Sequence, residues 1–173
     1  MLIELSVGWL IAVNILGWLF IHMAVSFTGM CLPLRLFRTR IWLYRARAWE
    51  RGGRIYERIF HIKAWKDRLP DGAAIFRGGF RKADLNTVSA EYLNRFAEET
   101  CRGEAVHWVT LFAAALFFIW NPWWAGLIMI AYAITANMPC ILAQRYNRLR
   151  LMALLARVER RAGRSRQAAV RDR

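Results

Sequence analysis

The chain alternates between long uncharged runs and basic ones. Residues 1–34 and 103–144 contain no lysine or arginine, while all 26 of them fall in two blocks, 16 from Arg35 to Arg102 and 10 from Arg145 to Arg173. The first apolar run, residues 2–30, is long enough to cross a hydrocarbon core about 30 Å thick, and Pro33 ends it. Residues 35–63 interleave Trp42, Tyr44, Trp49, Tyr56 and Phe60 with Arg40, Arg45, Arg47, Arg51, Arg54 and Arg58. That mixture predicts two interfacial helices, split at Gly52-Gly53. Pro70-Asp71-Gly72 is turn chemistry, and Gly78-Gly79 and Arg81-Lys82 continue the loop. Ser89 is an N-cap, with Glu91 in the first turn of the helix it opens. That helix meets no breaker except Gly103 before Asn121-Pro122. Its roughly thirty residues, about 45 Å long, exceed the hydrocarbon, so its first half stands outside lipid and its second half crosses. Trp120, Trp123 and Trp124 mark the far interface. A third span over about 123–143 emerges at Gln144-Arg145, and Leu149–Val170 is a basic amphipathic tail, helical to about Arg161 and frayed beyond. The pattern predicts an all-α membrane protein, one domain over 1–173, with about three transmembrane helices. Its parts are a first helix (2–30), a basic segment (35–102), a transmembrane hairpin (105–143) and a basic tail (145–173).

Charge orients these spans. Basic residues on one side only, beginning at Arg35, place the two basic segments in the cytoplasm and the N-terminus outside, in the cell membrane. Glu4 and the lack of a basic residue at the start of the first run argue for an uncleaved helix rather than a signal peptide. With 57% hydrophobic residues, nine Trp and a net charge of +14, the chain is unlike a soluble domain. Nucleic-acid binding is excluded because the arginines alternate with membrane-seeking aromatics. For each arginine of 35–63, simple anchoring competes with an electrostatic funnel for an anionic substrate. Cys31, Cys101 and Cys140 have no metal spacing and are read as reduced thiols.

The polar groups inside the apolar runs carry the candidate chemistry. With Glu99 at 0° and about 100° per residue, Thr100 falls at about 100°, Gly103 at 40°, Glu104 at 140°, His107 at 80° and Thr110 at 20°. One polar arc therefore enters the membrane. If the second and third spans fold back at Asn121-Pro122, His107 lies level with Asn137, and Glu99 with Gln144. Asn137, Gln144 and Arg148 share a face of the third helix, and Pro139 predicts a kink beside it. His107 suits a general base, with Glu104 or Glu99 orienting it or stabilising its charged form. Arg102, Arg145, Arg148 and Lys66 are available for donor phosphates or a developing oxyanion. The chain has no Gly-x-Ser-x-Gly elbow and no phosphate-binding glycine loop. Three histidines are too few for a membrane di-iron oxygenase, and Glu104-x-x-His107 alone is a weak metal signal, so no metal or resident cofactor is expected. The same groups would equally serve as helix-packing contacts and snorkelling arginines.

Three blocks resemble a known family: Trp65-Lys66 with Asp71-Gly72; Glu99-Thr100, Arg102, Glu104 and His107-Trp108; and Ala136-Asn137, Pro139 and Gln144-Arg145-Tyr146-Asn147-Arg148, followed by Arg150-Leu151 and Leu154-Leu155. In this order over about residues 60–162 they resemble the glycosyl-4,4′-diaponeurosporenoate acyltransferases of carotenoid biosynthesis. Leu149 stands where the family pattern leads one to expect proline. The resemblance implies a membrane-bound transferase that esterifies a sugar hydroxyl of a glycosylated carotenoid or related lipid with a fatty acyl group. It also implies acyl-CoA or a similar acyl donor as co-substrate. Expected catalytic residues are His107, Glu104 and Glu99. Expected substrate-binding residues are Arg102, Asn137, Gln144, Arg145, Arg148, Lys66 and Asp71. Expected partners are membrane lipids, the glycolipid or glycocarotenoid acceptor and the acyl donor. The rival from another class is a non-catalytic membrane module that binds anionic lipid or scaffolds biosynthetic enzymes.

Overall fold

A computed structural model of the chain describes residues 6–69 and 90–171. Asp71, the Pro70-Asp71-Gly72 turn, Gly78-Gly79, Arg81-Lys82 and the Ser89 cap lie outside the described residues. All regular structure among the described residues is helical. The α-helices are α1 (Val7–Cys31), α2 (Arg54–Phe60), α3 (Ala90–Ala113) and α4 (Trp123–Arg171). Three helices are long and apolar enough to cross a membrane: Val7–Cys31, Ala90–Ile119 and Trp123–Arg160. Two compact units emerge, one from Met1–Leu36 with Arg102–Leu142, the other from Phe37–Cys101 with Ala143–Arg173.

In the first unit, α1 ends because Leu32 is extended, with ψ 138°, the conformation favoured before a proline. Trp18 and Ile21 of α1 are buried with Ala114, Phe117 and Ala133, and Trp18 stacks on Phe117 at 4.5 Å between ring centroids. The far side of α1 leaves Leu19, Phe20 and Phe27 exposed, the surface a helix offers to lipid. A reciprocal amide pair fastens α1 to the turn before α4. Asn14 Nδ2 donates to Asn121 Oδ1 (2.9 Å), Asn121 Nδ2 donates to Asn14 Oδ1 (2.7 Å), and Trp120 Nε1 donates to that same oxygen (2.8 Å). Away from water such bonds between helices contribute about 0.6–2 kcal/mol each. Before the turn, Ala114–Ile119 tightens into a 3₁₀ helix. At the other end of α1, a Cβ on Gly29 would sit 2.4 Å from Val106 Cγ2, so glycine permits the close approach of α1 and α3.

The second unit departs from expectation between residues 35 and 63. Two interfacial helices were predicted there, but Leu34–Phe37 and Ala48–Gly53 are short 3₁₀ pieces, 38–47 is largely turns, and only α2 is α-helical. The backbone carbonyls explain the difference. Those of Trp42, Leu43, Tyr44 and Arg45 accept bonds from the side chains of Arg47, Arg145 and Arg148. A carbonyl facing a guanidinium is diverted from the helical ladder. The split at Gly52-Gly53 is present, with φ +64° and +96° there and +48° at Arg51. Leu93 and Ala97 of α3 are buried with Leu151 and Leu155 of α4.

Helix α4 also differs from expectation. It continues through Pro139 as one helix and runs to Arg171 rather than fraying beyond Arg161. The span and the tail are therefore one continuous helix, with abundant helix formers carrying it past the apolar segment.

Candidate active site

In the first unit His107 and Asn137 meet. Helical periodicity puts His107 on the inward face of α3, and the turn at Asn121-Pro122 returns α4 so that Asn137 stands opposite. His107 Nδ1 lies 3.0 Å from Asn137 Oδ1. Asn137 is only 1% exposed, and its Nδ2 donates to Ala133 O at 2.9 Å. The amide nitrogen is thus fixed toward the helix backbone and the amide oxygen toward the imidazole. An amide oxygen can only accept, so Nδ1 of His107 carries the proton. The neutral imidazole then presents Nε2 as its basic nitrogen. The side chain bonded to His107 Nδ1 is that of Asn137, which the sequence suggested as a substrate contact.

Glu104 is buried one helical turn before His107, at 3% exposure. An ionisable group at membrane depth is costly and is retained where it serves a pathway or a site. His22 of α1 tilts against Trp18 at 5.5 Å between ring centroids. Arg102 points to the end of α1, where its Nη2 donates to Leu32 O at 3.4 Å.

The other predicted residues belong to the second unit. Glu99 is half-buried on α3, next to Thr100, whose hydroxyl donates to Ala97 O at 2.6 Å. Gln144 is half-buried on α4. Arg145 donates from Nε to Glu50 Oε1 (2.6 Å), from Nη2 to Glu50 Oε2 (3.2 Å) and Arg45 O (3.0 Å), and from Nη1 to Leu43 O (2.8 Å). Arg148, 2% exposed, donates from Nε to Tyr44 O at 3.2 Å and lies over the Tyr44 ring at 5.5 Å. Both arginines thus grip the 43–45 backbone, and Arg145 has little donor capacity left for a phosphate. Lys66 bonds to Asp67 at 2.5 Å and lines a cavity with Arg150 and Arg157.

Glu50 is the residue that sequence reasoning missed. It is fully buried and accepts from Tyr56 Oη (2.7 Å) and the Arg47 backbone N–H as well as from Arg145. Burial alone would push its carboxyl up, but these bonds, Arg145 first, hold it below the ordinary carboxylate value. Its signal was available, since Glu50 is the only acidic residue between Glu4 and Glu57. A lone carboxylate amid arginines is a natural centre for an ion-pair network. Nearby, Glu57 accepts from Tyr146 Oη (2.7 Å) and pairs with Lys63 (2.8 Å).

Fold and site define an all-helical protein with three helices long and apolar enough to cross a membrane and an amide-oriented histidine within them. The family model described as glycosyl-4,4'-diaponeurosporenoate acyltransferase matches residues 40–157. The glycosyl-4,4'-diaponeurosporenoate acyltransferase of Staphylococcus aureus (strain bovine RF122 / ET3-1) is 30% identical over 147 residues, covering 85% of this chain and 88% of that protein. The protein of the same name from strain USA300 is 29% identical with the same coverage. The chain belongs to the glycosyl-4,4'-diaponeurosporenoate acyltransferase family, and so to the acyl-transferring enzymes of carotenoid biosynthesis. That placement decides against the non-catalytic module. No solved structure matches.

Proposed function

We propose that the protein is a cell-membrane enzyme that esterifies a hydroxyl of a glycosylated carotenoid or similar glycolipid with a fatty acyl group. The observation that carries the chemistry is the His107–Asn137 hydrogen bond, which leaves Nε2 as the basic nitrogen. In this reading Nε2 takes the proton of the sugar hydroxyl as its oxygen attacks the acyl carbonyl carbon. The carbonyl π pair moves onto oxygen, then returns as the carbon–sulfur bond of an acyl thioester breaks. The imidazolium returns its proton to the departing thiolate, so the histidine ends as it began. Glu104 stabilises the transient imidazolium, as carboxylates do beside catalytic histidines. A thioester of the coenzyme A kind is the natural donor for such a step, and the reading needs no metal or resident cofactor. The asymmetry of basic residues supports cytoplasmic basic segments and an outward N-terminus.

The test compares pigments and polar lipids, by mass spectrometry, from cells that carry the gene, lack it, or carry His107→Gln expressed to the same level. An acyl-sized mass increment on a glycosylated pigment or lipid should appear with the gene and fall by at least about 10²-fold with the variant. Full transfer by His107→Gln would remove the histidine from the mechanism. The absence of any increment between gene and no gene would remove the proposed reaction.

A further inference from the structure

The second unit contains a cavity of about 500 Å³, within the size range of small-molecule sites. Its polar lining comes from Lys66 and Asp67 on a 3₁₀ turn and from Asn147, Arg150 and Arg157 on α4. Among the described residues three cations therefore face one carboxylate, and that carboxylate is already bonded by Lys66. Arg150 also feels Glu57, but Glu57 is itself held by Lys63 and Tyr146. Among the described residues that line it, the cavity keeps an excess of positive charge over acidic groups. By contrast, Arg145 next along α4 is matched to Glu50.

Helical spacing gives the cavity its form. Asn147, Arg150, Leu151, Leu154 and Arg157 recur every three or four residues and so make one stripe on α4. Arg150 and Arg157, two turns apart, stand about 10 Å apart along the axis, too far to grip one phosphate group together from fixed positions. Leu151 and Leu154 lie between them, and Phe96 of α3 adds an apolar wall. Two cationic ends separated by an apolar floor suit an amphiphile that carries phosphate and methylene groups. Planar guanidinium forks hold phosphate oxygens in pairs.

We infer that this cavity holds the phosphate-bearing part of the acyl donor, with Lys66, Arg150 and Arg157 on its phosphates and Asn147 as a neutral hydrogen-bond partner. The inference rests on the acyl-transfer reading for the identity of the ligand but not for the existence of the site. The phosphate has two sources of the same chemistry, a soluble coenzyme A thioester and an anionic phospholipid headgroup.

The test uses the full-length protein in nanodiscs. In phosphatidylcholine discs, coenzyme A is titrated against wild type, Arg150→Gln, Arg157→Gln and the control Arg160→Gln, an exposed arginine outside the cavity. In discs containing phosphatidylglycerol, lipid retained by each protein is counted by native mass spectrometry. Saturable coenzyme A binding, weakened at least tenfold by the two cavity variants but not by Arg160→Gln, supports the site with the soluble donor. Phosphatidylglycerol retention lost in the same two variants alone supports it with the lipid source. No binding of either, or equal loss in all three variants, overturns it. Binding is read without turnover, so the two ideas fail separately. A protein that transfers acyl groups but binds indifferently to these arginines loses only the cavity. One that binds at the cavity but transfers nothing loses only the reaction.

Discussion

In the first unit the buried polar groups are mostly amides and an imidazole, joined by neutral hydrogen bonds: Asn14 with Asn121 and Trp120, and His107 with Asn137. In the second the largest of them are charged, with Glu50 clamped by Arg145 and Arg148 laid on Tyr44. The difference follows from what surrounds each group. Apolar helices supply few counter-charges, so neutral donors and acceptors are matched one to one. The second unit has arginines in excess and backbone carbonyls freed by its turns, so charge can be buried only where several partners converge. Glu104 departs from the first pattern, being a buried carboxyl within an apolar helix, and it is the group the proposed chemistry uses.

The largest effect should come from breaking the charged cluster. Glu50→Ala strands a guanidinium that is 13% exposed, and removing one partner of a buried pair typically costs about 3–5 kcal/mol. A large fall in the unfolding midpoint of the detergent-solubilised protein is expected, with more rapid proteolysis between residues 38 and 50. Acid should act on the same bond. Because the Glu50 carboxyl is held below its ordinary value of 4.5, its stabilisation is complete above that value and disappears as pH falls through the folded value. Glu50→Gln should flatten that acid limb. A wild-type limb unchanged by Glu50→Gln would mean that the cluster does not hold the second unit.

The next effect belongs to the neutral pair. Asn137→Leu removes the oxygen that fixes the Nδ1 proton of His107, and loss of the correct tautomer and orientation should lower kcat by about 10²-fold. KM should change little, because in this reading Asn137 positions the base rather than holding substrate. A raised KM with kcat intact would return Asn137 to the substrate-binding role assigned from sequence.

These two clusters also show what the chain discloses before folding. The three spans, the turn at Asn121-Pro122 and the level of His107 with Asn137 follow from counting residues between breakers at a fixed rise per residue. Long uninterrupted helices have only one geometry. The 35–63 segment resisted the same treatment because its backbone is decided by distant side chains: Arg145 lies 102 residues from Leu43 and Arg148 lies 104 from Tyr44. Local pattern suggested helices there, whereas long-range donors took the carbonyls. Arg145 and Arg148 were visible as arginines near a membrane face, but distant partners decide what they do, Glu50 for Arg145 and Tyr44 for Arg148. Likewise Arg150 and Arg157 looked like ordinary tail charges until α4 proved continuous and placed them on one stripe.

The smallest effect tests how the charged unit fixes its backbone. Gly52 and Gly53 both have positive φ, but a Cβ at Gly52 would meet nothing within 4 Å, whereas one at Gly53 would approach the Tyr146 ring at 3.2 Å. Alanine at either position incurs the left-handed penalty, about 1 kcal/mol. Only Gly53→Ala must also displace a ring whose hydroxyl holds Glu57. At φ +96° it lies further from the left-handed minimum than Gly52 at +64°. Gly53→Ala should therefore lower stability by roughly 1–2 kcal/mol more than Gly52→Ala. A Tyr146→Leu background should reduce the gap by removing the ring contact while leaving the backbone strain. Equal losses for the two alanines in the wild-type background would show that backbone strain alone places the glycines, and that Tyr146 takes no part in setting the turn.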